Sequence, residues 1–238
     1  VLEGGTKRID FKTTVDWHET NKMLRAEFPL AIAGDTVSCD IQFGHIRRST
    51  KTNNRFDAAQ TEIVAHKWID RSEADYGVSL LNDCQYGYYA KGSLLSINLL
   101  RSQNYPCENQ DKGRHTFCYA LYPHSGSVFQ SDVERQAYEY NVPLLHLPQS
   151  GSAPMIAQPE KGNIVLETVK MSENGDGVIL RTYEAKGKAV DCTILLNENF
   201  KKCILTNLIE DDIEPLPITD SRVTLHFNRF EIHTLRVR

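Results

Sequence analysis

Hydrophobic and polar residues alternate along most of this chain. One run places Ile9, Phe11, Val15 and Trp17 between polar neighbours. The same two-residue period recurs in four further runs, at residues 24–28, 37–43, 95–99 and 117–121. Because successive side chains of a strand point to opposite faces, this period predicts half-buried β-strands. We therefore expect residues 1–148 to form a large antiparallel β-sandwich in an all-β protein.

Two stretches depart from the two-residue period. Residues 131–140, "SDVERQAYEY", have a helical period, and Ser131 with Glu134 three positions later predicts a capping box at the helix start. The basic stretch 43–55, "FGHIRRSTKTNNR", contains "STKTNN", which is typical of a long loop. The first stretch is the only helix that the pattern predicts.

A change of composition divides the chain into two regions. Residues 148–162 read "PQSGSAPMIAQPEKG", with three prolines and little periodicity, so we assign residues 149–161 to a linker. Beyond it, two alternating runs flank "ENGDG", a strong hairpin signal. Residues 162–238 are therefore predicted to form a small C-terminal β-sandwich.

Composition and charge narrow the possible partners. A net charge of −4 provides no basic field for phosphates, so we expect no nucleic-acid partner. No apolar run is long enough to cross a bilayer, so we expect no membrane partner. The six cysteines show no zinc-ligand spacing, and a chain of 238 residues does not need disulfides for its stability. We therefore expect reduced thiols in a cytoplasmic protein rather than disulfides. The chain begins at Val1 without Met, so we expect the true amino terminus, with any targeting signal, to lie upstream.

The four residues Asp16-Trp17-His18-Glu19 look at first like an active site. On a strand, however, Trp17 faces one side and Asp16 and His18 face the other. We therefore predict a core tryptophan beside an acid–imidazole pair rather than a catalytic centre. The same geometry places His66 and Trp68 on one face, with Trp68 expected to be buried.

Five blocks of this sequence resemble one family, the glycoside hydrolase family 38 α-mannosidases, in their β-rich carboxy-terminal region. The blocks are residues 8–30, 43–88, 94–106, 111–126 and 163–196. Among subgroups the chain looks most like the cytosolic type. The resemblance implies a galactose-mutarotase-like supersandwich, of which part is expected to lie upstream of Val1, followed by a small sandwich.

The resemblance also implies what this chain lacks. In the family, an amino-terminal α/β barrel carries a His-x-Asp zinc site and the attacking Asp, and hydrolysis retains configuration. None of the eight histidines here is followed by Asp two residues later. We therefore expect a non-catalytic fragment without metal ligands or catalytic residues, with zinc or cobalt in the catalytic domain. The implied partners are the enzyme's own barrel and a mannose-containing oligosaccharide, and a homo-oligomer is left open.

Two stretches supply candidates for the rim of the sugar pocket. In "LLNDCQYGYY", residues 80–89, we expect Asn82, Asp83, Tyr86 and Tyr88 to be offered in a loop at Gly87, since amides, carboxylates and tyrosines bind sugar hydroxyls and ring faces. An ordinary turn with packing tyrosines explains the pattern equally well.

His45 and Arg47, in the basic stretch 43–55, are the second pair of rim candidates. A solvated basic loop is the alternative.

Two other functions stay open at this point. A stand-alone carbohydrate-binding β-sandwich module needs exposed aromatic residues on one face, and the clustered set is Tyr86, Tyr88 and Tyr89. A purely structural or interaction domain needs no sugar site at all.

Overall fold

The structure is a computed structural model, which describes residues 1–2, 4–144 and 154–238. The described part of the chain is mostly antiparallel β-sheet, as expected, and divides into two compact units. The first unit comprises residues 1–42 and 46–146, and the second comprises residues 43–45 and 147–238.

The first ten strands form two antiparallel sheets. They are β1 Ile9–Trp17, β2 Leu24–Pro29, β3 Thr36–Ile41, β4 Gly44–Ser49, β5 Ile63–Val64, β6 Trp68–Ser72, β7 Tyr76–Asn82, β8 Gly87–Lys91, β9 Leu94–Leu100 and β10 Gly113–Ser125. The larger sheet has the order β1-β10-β7-β6-β3-β4, and the smaller has the order β2-β9-β8-β5. Buried residues of both sheets share one hydrophobic core, for example Cys39 and Leu80 with Leu95 and Ile97. The predicted runs at 9–17, 24–28, 37–43, 95–99 and 117–121 thus supply strands of this core.

The described part of the first unit contains three helical segments: α1 Arg55–Ala59, a 3₁₀ helix Val128–Gln130 and α2 Val133–Asn141. The helix predicted at 131–140 is confirmed as α2. The prediction of a single helix is wrong, because Asn54 caps α1 by accepting from the N–H groups of Phe56 at 3.0 Å and Asp57 at 2.9 Å. This local cap supports a turn of helix that has no apolar periodicity.

The predicted cap of α2 is also wrong. Asp132 is the N-cap residue, and Ser131 precedes it. The Ser131 hydroxyl donates instead to the Val128 carbonyl at 2.8 Å, closing the 3₁₀ turn before α2. The capping box lies one turn earlier, at Ser127 and Gln130.

Helix α2 and the 3₁₀ helix cover part of the outer face of the larger sheet. Val133 and Ala137 of α2 pack with Trp68, Leu81 and other buried residues in a second hydrophobic cluster. The helix start is also tied to the sheet, because the Tyr122 hydroxyl donates to Asp132 at 2.6 Å. Partial burial opposes ionisation of Asp132, but the bonds from Tyr122 and Arg135 outweigh it and lower the pKa of this carboxyl.

We expect Tyr122→Phe to reduce the free energy of unfolding by about 0.5–1 kcal/mol near neutral pH, because a hydrogen bond to a charged group is lost. Since the folded-state pKa of Asp132 lies below the 3.8 of a free carboxyl, this contribution is present above that value and is lost as the pH falls through the folded pKa. Urea unfolding at neutral and acid pH would test both points. Tyr86→Phe, at an exposed tyrosine, is the control, and a pH-independent difference would contradict the assignment.

Eight strands form the second unit within the residues that the structure describes. They are β11 Ala157–Pro159, β12 Ile164–Met171, β13 Val178–Glu184, β14 Val190–Leu196, β15 Cys203–Thr206, β16 Asp212–Leu216, β17 Arg222–Phe227 and β18 Ile232–Val237. A three-stranded sheet, β11-β14-β17, and a five-stranded sheet, β12-β13-β18-β15-β16, enclose one core that includes Ile194, Phe227 and Leu235. The hairpin predicted at "ENGDG" is confirmed, since β12 pairs with β13 up to Met171 and Val178.

The linker predicted at 149–161 is partly wrong. Strand β11, Ala157–Pro159, lies within it and pairs with β14. A strand of three residues is too short to show alternation. Its proline also argues against a strand, since proline is tolerated only where the ladder needs no N–H. The part of the predicted linker before residue 154 lies outside the described residues. Across the described ranges, no helix is long and apolar enough to span a membrane.

Candidate functional site

The segment around Trp17 has the geometry that its alternation predicts. Trp17 is half-buried against the core of the first unit, and its indole N–H donates to Ser102. On the other face, His18 Nε2 lies 2.9 Å from Asp16 Oδ1, with the two side chains 70% and 73% exposed. The acid–imidazole pair is therefore a solvated surface pair. Trp68 is buried at 3% exposure, also as predicted.

The loop between β7 and β8 is shorter than expected. Strand β7 ends at Asn82, and Gly87 already belongs to β8, where it pairs with Val64. Asn82 and Tyr88 are both fully buried. The Asn82 amide donates to the Tyr88 hydroxyl and, at 2.5 Å, to the His66 carbonyl. Burial raises the pKa of Tyr88 well above its usual value.

The expected exposure of Asn82 and Tyr88 is therefore wrong. The reason is the early start of β8, which turns the Tyr88 side chain into the core of the first unit. Their hydrogen bond satisfies two polar groups that would otherwise be buried unpaired. These two residues stabilise the loop from the buried side and are not exposed on its surface.

Asp83 and Tyr86 remain on the surface of this loop. The Asp83 carboxylate accepts from the backbone N–H of Cys118 at 3.2 Å, and Tyr86 is 52% exposed. The Tyr86 ring meets the His66 ring edge to face, with centroids 5.6 Å apart. A fixed carboxylate beside an exposed aromatic ring can accept hydroxyl hydrogen bonds and offer an apolar face. A sugar contact here stays a prediction.

The tyrosine platform of a stand-alone sugar-binding module is not formed. Tyr88 is fully buried, and Tyr89 is half-buried with the Arg25 guanidinium 5.4 Å from its ring centroid. Of the three clustered tyrosines, Tyr86 alone is exposed. The module hypothesis depended on all three tyrosines being exposed on one face, and that prediction is wrong.

In the second candidate stretch, strand β4 carries both His45 and Arg47. The loop predicted at "STKTNN" follows this strand. Arg47 is exposed, and its guanidinium carbon lies 4.6 Å from the Phe129 ring centroid in the first unit. His45 belongs to the second unit, where its Nδ1 lies 3.2 Å from the Ala185 carbonyl and its ring meets Phe230 edge to face at 5.0 Å. A role for either residue at a sugar pocket stays a prediction.

The chemistry of the donor set does not fit a catalytic metal. Within the described ranges, no group of three or more His, Cys, Asp or Glu side chains could hold a metal ion. All six cysteines are free. Burial raises the pKa of Cys39 to about 11 and that of Cys203 to about 12. These thiols are therefore protonated at neutral pH and behave as small hydrophobic residues.

One buried polar cluster was not predicted from the sequence. Asp70 is 1% exposed, and its Oδ2 accepts from the Ser79 hydroxyl at 2.6 Å and from His124 Nε2 at 2.7 Å. Ser79 and His124 are also buried. A signal was present, because Asp70 lies two residues after Trp68 on the face predicted to be buried. The structure places this cluster under the 127–130 segment, whose Val128 N–H donates to Ser72 at 3.2 Å.

The fold and these sites define a class: a two-unit antiparallel β region with hydrogen-bonding surface loops and no metal-binding cluster in the part of the chain that is described. Comparison with known proteins gives the family. Residues 1–109 match the model described as the glycosyl hydrolases family 38 C-terminal domain. Residues 163–235 match that of the family 38 C-terminal beta sandwich domain.

Several proteins are similar over nearly the whole chain. Alpha-mannosidase 2C1 of Homo sapiens is 41% identical, and alpha-mannosidase G of Dictyostelium discoideum is 35% identical, each over 99% of this chain. The chain spans only 24% and 23% of these relatives. The crystal structure of an alpha-mannosidase from Enterococcus faecalis V583 has the same fold, with a TM-score of 0.83 and 19% identity over 98% of this chain and 28% of that one.

This chain belongs to glycosyl hydrolase family 38 and matches the C-terminal region of α-mannosidases of that family. The family resemblance seen in the sequence is thereby confirmed.

Proposed function

We propose that this chain is the non-catalytic C-terminal region of an α-mannosidase, packing on the catalytic barrel and completing the rim of its sugar pocket. One observation carries the proposal: two C-terminal domain models of one glycosidase family match in order, over residues 1–109 and 163–235. The whole enzyme would hydrolyse α-mannosidic bonds of a mannose-containing oligosaccharide with retention of configuration, in the breakdown of glycans and free oligosaccharides. Zinc or cobalt would be held by the barrel, because the described residues here offer no ligand group.

Asp83 and Tyr86 are our primary candidates for the sugar rim. Both are exposed on one loop, and the loop is held by the buried Asn82–Tyr88 hydrogen bond. The Cys118 N–H fixes the Asp83 carboxylate, so it is oriented before a substrate hydroxyl arrives. His45 and Arg47 remain further candidates for the same rim.

In the full-length enzyme, we expect Tyr86→Ala and Asp83→Asn each to lower kcat/KM for an oligomannoside by about three- to tenfold, the loss of one sugar contact. Tyr76→Ala, at another exposed tyrosine of the first unit, should leave kcat/KM unchanged. The comparison needs steady-state kinetics and an unfolding curve for each variant. Unchanged kinetics in both loop variants, with normal folding, would remove Asp83 and Tyr86 from the rim.

The chain on its own should show no turnover of an aryl α-mannoside, with or without added zinc or cobalt. The physical reason is that strand alternation separates its acids and imidazoles, and the pairs that do form are either solvated, as at Asp16–His18, or buried, as at Asp70–His124. A chromogenic assay against the full-length enzyme as positive control measures this. Metal-dependent turnover by this chain would contradict the non-catalytic assignment.

We further propose a cytoplasmic location, supported by six free thiols in a chain of 238 residues. A homo-oligomer of the whole enzyme is also proposed, with sedimentation of the full-length protein as its test.

A further inference from the structure

A polar cavity of about 330 Å³ lies in the first unit, on the outer face of the larger sheet. Neighbouring strands supply its floor, since Ser38 of β3 pairs with Asp70 of β6. Arg47 of β4 and Phe129 of the 3₁₀ helix form part of its wall. The volume is at the small end of the range for ligand pockets, which suits one monosaccharide ring rather than an oligosaccharide.

Asp70 lines the cavity and carries a buried hydrogen-bond acceptor without a partner. Its Oδ2 is saturated by Ser79 and His124, but Oδ1 is buried and has no hydrogen-bond partner in the described structure. A buried acceptor left unpaired costs about 1–3 kcal/mol, so such atoms in folded proteins usually have a partner. A donor from a bound molecule would provide that partner.

The charged side chains that line the cavity indicate which ligand charge it favours. The Arg47 guanidinium stacks on Phe129, and its positive charge opposes a bare cation. Asp70 and Glu73, both lining the cavity, oppose an anion. The hydroxyls of Thr36 and Ser38 can each donate and accept. This combination favours a neutral molecule with several hydroxyl groups.

We infer that this cavity is a binding site for a neutral monosaccharide ring, with Asp70 Oδ1 accepting from one hydroxyl and the Arg47 guanidinium donating to another. The inference does not rest on the proposed function, because every lining residue belongs to the first unit and no barrel is needed. It also differs from the loop of Asp83 and Tyr86, since neither residue lines the cavity, whereas Arg47 is a candidate at both places.

The test uses this chain and methyl α-D-mannopyranoside, with saturation-transfer difference NMR as the readout. We expect saturable binding with a dissociation constant of about 1–10 mM. Arg47→Ala removes the donor, and Ser38→Val removes a hydroxyl and adds a methyl group to the cavity. Each should weaken binding by about tenfold, as expected for one lost polar contact. Arg55→Ala, an exposed arginine outside the cavity, is the matched control.

Unfolding curves of the variants separate loss of the site from loss of the fold. No saturable binding by the unmodified chain, calcium binding in place of the sugar, or undiminished binding by Arg47→Ala would each overturn the inference. Binding lost in Tyr86→Ala but kept in Arg47→Ala would also overturn it, while supporting the loop rim of the proposed function. Failure of the kinetic test at Tyr86 leaves the cavity result unaffected.

Discussion

Replacing Arg71 with alanine should lower the free energy of unfolding of the first unit by about 3–5 kcal/mol. Arg71 is 1% exposed, and burial lowers its pKa. Its guanidinium donates to the carbonyls of Gly34 at 2.9 Å and Ile32 at 3.4 Å, and to that of Gly92. It thus joins β6 to the turn between β8 and β9. Alanine would leave a cavity and unpaired carbonyls.

Urea unfolding of the variant measures the loss. Arg55→Ala, at an exposed arginine of the same unit, should change stability by less than about 0.5 kcal/mol. Arg71→Met, which keeps most of the volume but none of the donors, should fall between them at about 1–3 kcal/mol. Arg71→Ala with the stability of the control would show that the guanidinium contributes nothing to joining the two sheets.

Replacing Glu184 with glutamine should destabilise the second unit by about 2–4 kcal/mol. The Glu184 carboxylate is fully buried and accepts from a ring of backbone N–H groups. The donors belong to Lys186 at 2.8 Å, Gly187 at 2.7 Å, Lys188 at 3.0 Å and Phe230 at 3.2 Å. Gly187, with φ of +71°, makes the turn that aims them at one point. A glutamine NH₂ would replace one accepting oxygen with donors that face donors.

Glu198→Gln is the same chemical change at an exposed position of the same unit, and it should be nearly neutral. Thermal and urea unfolding of both variants make the comparison, and a variant at Glu184 that does not fold at all agrees with the expectation. Equal stability of the two glutamine variants would show that the N–H ring does not need a charged acceptor.

Local alternation was sufficient to predict most of the strands. Trp17 and the Asp16–His18 pair took opposite faces because a pleated strand allows no other arrangement. The hairpin at "ENGDG" formed because its glycines accept positive φ, at Gly175 and Gly177. The resemblance to family 38 also needed only the order of the blocks along the chain. The sugar-rim role of Asp83 and Tyr86, in contrast, remains a prediction.

Where local pattern failed, a distant segment had changed the environment. Strand β11 exists because β14 is available to pair with it, and nothing in Ala157–Pro159 indicates that partner. Asn82 and Tyr88 looked like loop residues, but Asn82 pairs with β10, and Tyr88 lies between β5 and β9.

By itself, the sequence determined that this protein is an antiparallel β region of the family 38 type, because strand period, turn residues and block order are properties of neighbours along the chain. Only the tertiary structure decided that both Asp70 and Arg71 are buried, although they point to opposite faces of β6. One face packs into the core, and the other is covered by residues 127–130, which follow more than fifty positions later. Burial on both faces depends on what packs against the sheet, and two-residue alternation carries no information about that.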